Sequence, residues 1–291
     1  MISAWVILGL AAAGWVVLIV IGRWLGAVGF RDGDLGAALT VRIFQVYART
    51  LHTLRTCGNE FVPPRTPDPT PGQPPLIVVC NHTAGVDPVL VQAALPFEIR
   101  WIMAEDMRAR QLEWFWRFGR VIFVDRDKRE ARSLRDALRH LTEGGVLGVF
   151  PEGNLERPPR HLLPFQSGIG FLVRRSGATV LPAIVDGTPQ CDPAWASLAR
   201  PSRSTVRFLP PVSYPDKTSP DDIVADLRQR FANATGWPMT DRAPIFRNGR
   251  RIFLDIEGRY IDEQGAILTD EEALAIAEAP EVGDAGTVAA D

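Results

Sequence analysis

The chain has 291 residues, of which 46% are hydrophobic and 23% charged, a composition that excludes an intrinsically disordered protein. Its three cysteines are widely spaced without any C-x-x-C pair, which argues against a disulfide framework and a structural zinc site. The net charge is -2, yet residues 252–291 hold eleven acidic residues and one arginine. That segment carries about -10 and the first 251 residues about +8, which suits an anionic membrane surface, nucleic acid or a solvated mixed-charge surface.

The first segment, residues 2–22, contains no charge and is long enough as a helix, about 30 Å, to cross a bilayer. A cleaved signal peptide is the alternative, but no basic residue precedes the apolar run. Arg23 and further arginines follow it, so the positive-inside tendency places the rest of the chain on the cytoplasmic side. We therefore predict a membrane anchor, which either spans the bilayer or lies in one leaflet.

The next segment, residues 39–54, has the pattern of an amphipathic helix, with apolar residues at spacings of three and four and basic residues elsewhere on the helix. Such a helix either packs on the protein core or lies among lipid headgroups. Its position directly after the apolar segment favours the membrane interface. His52, within this segment, is predicted to be exposed and without a function.

Composition divides the chain into four parts. Seven prolines within residues 63–75 predict an extended linker, because proline fixes φ and lacks an N–H donor. The predicted parts are a membrane anchor with the amphipathic helix (1–60), a Pro-rich linker (61–75), a main domain (76–240) and an accessory acidic C-terminal segment (241–291).

Short β-rich runs alternate with helical stretches through the main domain. The predicted strands are residues 76–80, 99–104, 121–124, 146–150, 179–185 and 205–209. The predicted helices include residues 88–95, 129–141 and 168–175. This alternation predicts an α/β fold, with a mixed, largely parallel sheet flanked by helices and ligand sites in the loops at strand ends.

The C-terminal segment has two local signals of structure. The stretch "FRNGRRIF" places an Asn-Gly turn between apolar pairs and predicts a hairpin. Thr269 and Glu272 have the spacing of a capping box at the start of a helix. No function is predicted for this segment.

The stretch "VVCNHTAGVDPVL" places His82 and Asp87 five positions apart after an apolar strand. Asp87 precedes Pro88 as a helix N-cap does, and a histidine in such a turn can be purely structural. The two side chains can also form a pair, in which the carboxylate fixes the imidazole tautomer and supports the imidazolium. Such a pair is suited to activating an alcohol.

Three further stretches decide between these interpretations. "GRVIFVDRD" (119–127), "VFPEGNLERP" (149–158) and "TVLPAIVDG" (179–187) follow "NHTAGVD" (81–87) in order. Together these four blocks resemble those of the glycerolipid acyltransferase superfamily, and the 1-acylglycerol-3-phosphate acyltransferases in particular. The resemblance covers roughly residues 75–211 and implies that the main domain, 76–240, is an acyltransferase domain.

The resemblance implies a role for each matching residue. His82 corresponds to the general base that deprotonates an acceptor hydroxyl, and Asp87 to its orienting partner. The electrophile would be the thioester of acyl-CoA or acyl carrier protein, with no cofactor or metal. The acceptor would be a lysolipid, bound at positions that we predict to include Asn81, Arg126, Glu152 and Gly153. Pro182 would line the acyl site.

The chain departs from the family pattern in its third block. Asn154 and Leu155 stand where threonine and arginine are usual, so a phosphate donor is lost, for which Arg157 or Arg160 is our predicted substitute. The acceptor is therefore predicted as a lysophospholipid or related glycerolipid, with an acceptor that lacks phosphate as an alternative. A second alternative is a membrane-anchored lipid-binding protein without activity. Neither a serine-hydrolase elbow nor nucleic-acid binding is predicted.

Overall fold

The computed structural model describes residues 20–21, 35–65, 72–125, 131–248 and 250–279. Its helices are α1 Leu35–Thr50, α2 Asp87–Ala94, α3 Glu113–Phe118, α4 Ala131–Thr142, α5 Ser167–Ser176, α6 Pro220–Thr235 and α7 Asp270–Glu278. Its first seven strands are β1 Arg55–Cys57, β2 Leu76–Cys80, β3 Arg100–Ala104, β4 Ile122–Val124, β5 Val146–Val149, β6 Thr179–Asp186 and β7 Thr205–Phe208. Four more follow, β8 Ile245–Arg247, β9 Arg250–Leu254, β10 Tyr260–Ile261 and β11 Ile267–Leu268.

The first seven strands form one sheet in the order β1-β7-β6-β2-β5-β3-β4. All neighbouring pairs are parallel except β6 and β7, which run antiparallel. The six predicted strands are all present, each within one residue of its predicted ends. The prediction of a mixed, largely parallel sheet flanked by helices is therefore confirmed.

The two faces of the sheet bury different sets of side chains. In β2, Ile77 and Val79 belong to one core cluster, whereas Leu76 and Val78 belong to the other. This division follows the two-residue period of a strand. Helices α4, α5 and α6 cover the first face, and α1 and α2 cover the second. As a result β2 is buried along its whole length, and its C-terminal end lies in the middle of the sheet edge.

Helix α1 has a packed face and an exposed apolar face. Ala37, Val41 and Ala48 are buried, whereas Leu39 and Ile43 are 47% and 55% exposed. The predicted amphipathic helix is thus present four residues earlier than expected, and it covers the core with one face while its other apolar face meets solvent. The chain then enters the main sheet as strand β1, which pairs with β7. Residues 35–57 therefore pack on the main domain.

The predicted membrane span, residues 2–22, lies outside the described residues apart from Val20 and Ile21, which are helical. Within the portion of the chain that the structure describes, we find no helix with both the length and the apolar character to cross a membrane. Residues 66–71 of the predicted linker are also outside the described portion.

His52 is buried, and the prediction that it is exposed was wrong. Its Nδ1 lies 2.7 Å from Ser202 Oγ and its Nε2 lies 2.9 Å from Tyr47 Oη. Burial lowers the pKa of the imidazole, which favours its neutral form. The helical periodicity could not show this contact, because Ser202 is 150 residues away in the chain.

Residues 245–279 fold into a second sheet of four strands, in the order β11-β10-β9-β8, followed by α7. The predicted hairpin is confirmed as the antiparallel pair β8–β9, and Asn248 at its turn has φ 50°. The capping box is also confirmed, since Thr269 accepts a hydrogen bond from the Glu272 N–H and Glu272 accepts one from the Thr269 N–H. Much of the acidic segment is therefore folded, and below we call residues 245–268 the C-terminal sheet.

Candidate active site

The loop at residues 81–86 connects the middle strand β2 to helix α2. Asp87 organises this loop, because its Oδ2 accepts from the backbone N–H of Thr83 at 2.6 Å and of Ala84 at 2.8 Å. The expectation that Asp87 is the N-cap of α2 was wrong: Val86 occupies that position and Asp87 is the first helical residue. Its carboxylate thus binds the preceding loop instead of the first turn of the helix.

The predicted His82 and Asp87 pair is in direct contact. His82 Nδ1 lies 3.0 Å from Asp87 Oδ2, with the carboxylate fully buried and the imidazole 20% exposed. A carboxylate at this distance favours the tautomer with the proton on Nδ1. That tautomer leaves the unprotonated Nε2 able to accept a proton.

Two aromatic rings support His82. Its ring is stacked on Phe150, with ring centroids 4.0 Å apart and an interplanar angle of 19°. Phe150 is stacked in turn on Trp101, at 4.9 Å and 11°. Phe150 directly follows strand β5 and Trp101 belongs to β3, so neighbouring strands of the sheet orient the imidazole ring.

Asn81 lies beneath the loop and joins it to β6. The side chain is fully buried, its Nδ2 donates to Val185 O at 2.9 Å, and its Oδ1 accepts from Val185 N at 2.8 Å. Both ends of the carboxamide are therefore occupied by backbone of the neighbouring strand. The structure thus gives Asn81 a part in holding the His82 loop in place.

The third block contributes two buried carboxyl groups. Glu152 and Glu156 are each 1% exposed, and neither oxygen of Glu152 has a hydrogen-bond partner in the described part of the protein. Burial, together with the neighbouring Glu156, raises the pKa of Glu152 well above its usual value. Burial likewise raises the pKa of Glu156 to about 8. Its amide N–H donates to His82 O at 2.6 Å, which ties this block to the His82 loop.

Gly153 allows the turn that follows Glu152. Its φ is +69°, in the left-handed region that favours glycine, and it borders the same cavity as His82.

Among the described residues, no group of three or more His, Cys, Asp or Glu side chains is placed to hold a metal ion.

Arg157 is buried among protein acceptors, at 2% exposure. Its Nη1 donates to Gln190 Oε1 at 2.6 Å and lies 3.4 Å from Thr83 O, and its Nη2 lies 3.3 Å from Asp192 Oδ1. This guanidinium therefore links three loops around the site. It also borders the cavity, but its two Nη atoms are already engaged by protein groups.

Two other arginines were singled out in the sequence, and the structure describes one of them. Arg126 is outside the described residues. Arg160 is exposed, and its guanidinium makes two contacts of 3.2 Å with Asp186 at the end of β6. The described residues thus bring His82, Asp87, Gly153 and Arg157 together.

A large apolar cavity of about 1550 Å³ opens beside His82. Its walls come from α1, α2, α3, β3, α5 and the C-terminal sheet, and from the loop that holds Phe150 and Gly153. Pro182, which was predicted to line an acyl site, is buried within β6 and does not border this cavity. The Pro182 carbonyl accepts a hydrogen bond from Leu209 N at 2.9 Å, next to the last residue pair of β6 and β7.

The sequence interpretation missed three contributors to the site. The Thr83 hydroxyl donates to Asp87 Oδ1 at 3.1 Å and also contacts the Thr188 hydroxyl after β6. Glu156 and Trp101 were not singled out either. For Glu156 the sequence shows a second glutamate four positions after Glu152, but its burial depends on tertiary structure.

Known proteins are similar in sequence to this domain. A protein-family model described as Acyltransferase matches residues 55–186. A 1-acyl-sn-glycerol-3-phosphate acyltransferase of Limnanthes douglasii is 30% identical over 151 residues, 49% of this chain and 52% of that protein. One from Bacillus subtilis is 24% identical over 121 residues, 40% of this chain and 58% of that protein. The chain thus matches about half the length of these curated relatives.

A solved structure shares the fold. The crystal structure of the 1-acyl-sn-glycerophosphate (LPA) acyltransferase PlsC from Thermotoga maritima matches with a TM-score of 0.54 and 19% sequence identity, over 74% of this chain and 87% of that chain. At this identity the likeness concerns the fold. The family match over residues 55–186, the related sequences and the four sequence blocks together support a glycerolipid acyltransferase domain in this part of the chain.

Proposed function

We propose that this protein transfers a fatty acyl chain from acyl-CoA or acyl carrier protein to a hydroxyl of a lysophospholipid or related glycerolipid. The observation that carries the proposal is the contact of His82 Nδ1 with the buried Asp87 carboxylate, at the point where the imidazole borders an apolar cavity. A general base, its orienting partner and a site for an acyl chain are thus adjacent. The names of the relatives support the same reaction.

In the proposed reaction, His82 Nε2 takes the proton of the acceptor hydroxyl as the oxygen attacks the thioester carbonyl. The C–S bond then breaks, and the imidazolium returns the proton to the departing thiolate. Asp87 supports the imidazolium through Nδ1–H, and the stack on Phe150 keeps the ring directed into the cavity. No covalent acyl-enzyme is required.

The cavity supports an acyl chain as substrate. Its volume of about 1550 Å³ exceeds the roughly 300–1,000 Å³ that is usual for small-molecule sites. Aromatic and aliphatic side chains dominate its walls, among them Phe44, Trp101, Phe115 and Leu172. An extended hydrocarbon chain is a ligand that fills such a volume without polar partners.

The acceptor is proposed from the names of the relatives and from the arginines of the second and third sequence blocks. The relatives are named for 1-acyl-sn-glycerol-3-phosphate, an acceptor with a phosphate group. Arg126 is our candidate for binding that phosphate, since Arg157 already serves Gln190 and Asp192. Glu152, with unpartnered buried oxygens beside the His82 loop, is proposed to shape the acceptor side of the site.

We further propose that the protein acts at a membrane, with the catalytic domain on its cytoplasmic side. Residues 2–22 are uncharged, and the exposed side chains Leu39, Ile43 and Val46 follow one another on one face of α1. Helices with such a face lie in the interface between lipid and water. This arrangement would place the cavity next to the source of its lipid substrates.

The test is thiol release from acyl-CoA and acyl carrier protein in detergent, with a panel of lysolipid acceptors. His82→Ala removes the base and should lower the acceptor-dependent rate at least about 100-fold. Asp87→Asn should cause a similar loss, because an amide at this position favours the imidazole tautomer that carries its proton on Nε2.

His161→Ala is the matched control. His161 is half-buried in the same domain, with its Nδ1 3.0 Å from Pro159 O, and it does not border the cavity. The rate of acceptor-dependent thiol release by His161→Ala should stay near that of the wild type. Equal thiol release by wild type and His82→Ala, or none with any acceptor, would contradict the proposal and favour a lipid-binding protein without activity.

A further inference from the structure

The C-terminal sheet forms part of the cavity wall. Phe253 of β9 and Ile261 of β10 border the cavity, although they lie 171 and 179 residues after His82 in the chain. The family match ends at residue 186, so this wall belongs to the part of the chain beyond the matched domain. Its contribution was not visible in the four sequence blocks.

The pairing of the strands explains which side chains face the cavity. Ile261 is the cross-strand partner of Phe253, and residues opposite each other in a sheet project from the same face. Arg251 precedes Phe253 by two positions, and it also borders the cavity. One face of the sheet therefore presents two apolar side chains next to a charged one.

Two contacts hold this wall against the site. A Cβ at Gly258, in the β9–β10 turn, would lie 2.6 Å from Cδ of Pro158, the residue after Arg157, so the turn packs tightly on the third block. At the other end, Arg251 Nη1 lies 3.7 Å from Asp106 Oδ2, just beyond strand β3. The wall thus has a defined position relative to His82.

We propose that the C-terminal sheet determines which acyl-chain lengths the protein accepts, with Ile261 and Phe253 as the contacting side chains. The inference rests on the proposed function, because it takes the fatty acyl chain as the ligand of the cavity. Apolar walls distinguish chains by the space that they leave, since a chain that is too long clashes and one that is too short leaves a void. Changing the size of a wall residue therefore changes the preferred length.

The test uses two variants of Ile261 with opposite effects on the space. Ile261→Ala enlarges the cavity and should shift the preference among acyl-CoAs of eight to eighteen carbons toward longer chains. Ile261→Trp reduces the space and should shift it toward shorter ones. The ratio of kcat/KM values for a long and a short donor should change on the order of tenfold, as for a methylene-sized difference in an apolar pocket.

Ile267→Ala is the matched control for Ile261→Ala. Ile267 is the cross-strand partner of Ile261 on β11, but it is 60% exposed and does not border the cavity. Its chain-length profile should equal that of the wild type. If Ile261→Trp does not fold, as judged by thermal unfolding, the comparison of the two alanine variants decides the question.

Binding without turnover separates this inference from the proposed function. S-alkyl-CoA thioethers cannot transfer their chain, so their dissociation constants report the chain-length preference alone. Opposite shifts of the chain-length preference in the two Ile261 variants support the proposed role of the C-terminal sheet. An unchanged preference in both variants, or an equal shift in Ile267→Ala, overturns that role. If the wild type binds thioethers with a length preference but releases no thiol from thioesters, the proposed acyl transfer is contradicted. The role of the C-terminal sheet is then still decided by the binding constants of the Ile261 variants.

Discussion

Single residues in the site are held by contacts with distant parts of the chain. Asp87 binds the loop that carries His82. In the same loop, the His82 carbonyl accepts a hydrogen bond from the Glu156 N–H. Glu156 Oε1 accepts from Arg160 N at 2.9 Å, whereas its Oε2 has no partner within the described structure. Burying a carboxyl with so little compensation favours its protonated form. Glu156 therefore has a pKa raised to about 8.

This titration predicts a pH dependence of stability. The pKa of Glu156 is raised to about 8, from its ordinary value of 4.5, chiefly by burial. Between these values the folded protein binds more protons than the unfolded chain, so the contribution of Glu156 to the free energy of unfolding falls as the pH rises. Below pH 4.5 both states are protonated and this loss is absent.

We expect Glu156→Gln to flatten the dependence of the unfolding free energy on pH between about 5 and 8, by up to about 1.4 kcal/mol per pH unit. Denaturant unfolding at several pH values measures the slope. Glu143→Gln, which alters an exposed carboxyl, should retain the wild-type slope. A wild-type slope in Glu156→Gln would show that Glu156 does not bind a proton in this range.

At the scale of elements, close packing of helices against one face of the sheet positions the third block. Helix α5 begins directly after Gln166, whose N–H donates to Pro151 O at 2.7 Å, and α5 packs on α6. Gly170 is at the closest approach, because a Cβ there would lie 2.1 Å from Pro220 O at the start of α6. A side chain at this position can be accommodated only if the two helices separate.

Gly170→Ala should therefore lower the free energy of unfolding by about 1–3 kcal/mol, the usual cost of overpacking. Gly168→Ala is the control on the same helix, since a Cβ at Gly168 meets no atom within 4 Å. That variant should be at least as stable as the wild type, because alanine favours helix over glycine. Equal stability of both variants would mean that α5 and α6 can move apart at little cost.

At the scale of the whole molecule, the structure changes how the membrane anchor should be tested. Helix α1 contributes Ala48 to the core, and β1 is an edge strand of the main sheet. Deleting all of residues 1–60 would therefore remove part of the folded domain. Deleting residues 1–34 removes the predicted anchor and leaves these elements in place.

We expect deletion of residues 1–34 to release the protein from membranes into a soluble or weakly associated form, because the uncharged segment 2–22 is lost. Sedimentation after a salt wash measures the association. Deletion of residues 280–291, at the other end of the chain, should leave it unchanged. Complete sedimentation of the first variant would contradict the anchor assignment.

The sequence by itself determined six of the seven strands of the main sheet, the β8–β9 hairpin and the resemblance to an acyltransferase family, because these depend on local periodicity, turn residues and short motifs. It also predicted the contact of His82 with Asp87, since five positions in one loop bring the two side chains within reach. Only the tertiary structure decided that His52 and Glu156 are buried, that Arg157 is held by Gln190, and that Ile261 borders the cavity. These features depend on packing between segments far apart in the chain, for which local patterns contain no information.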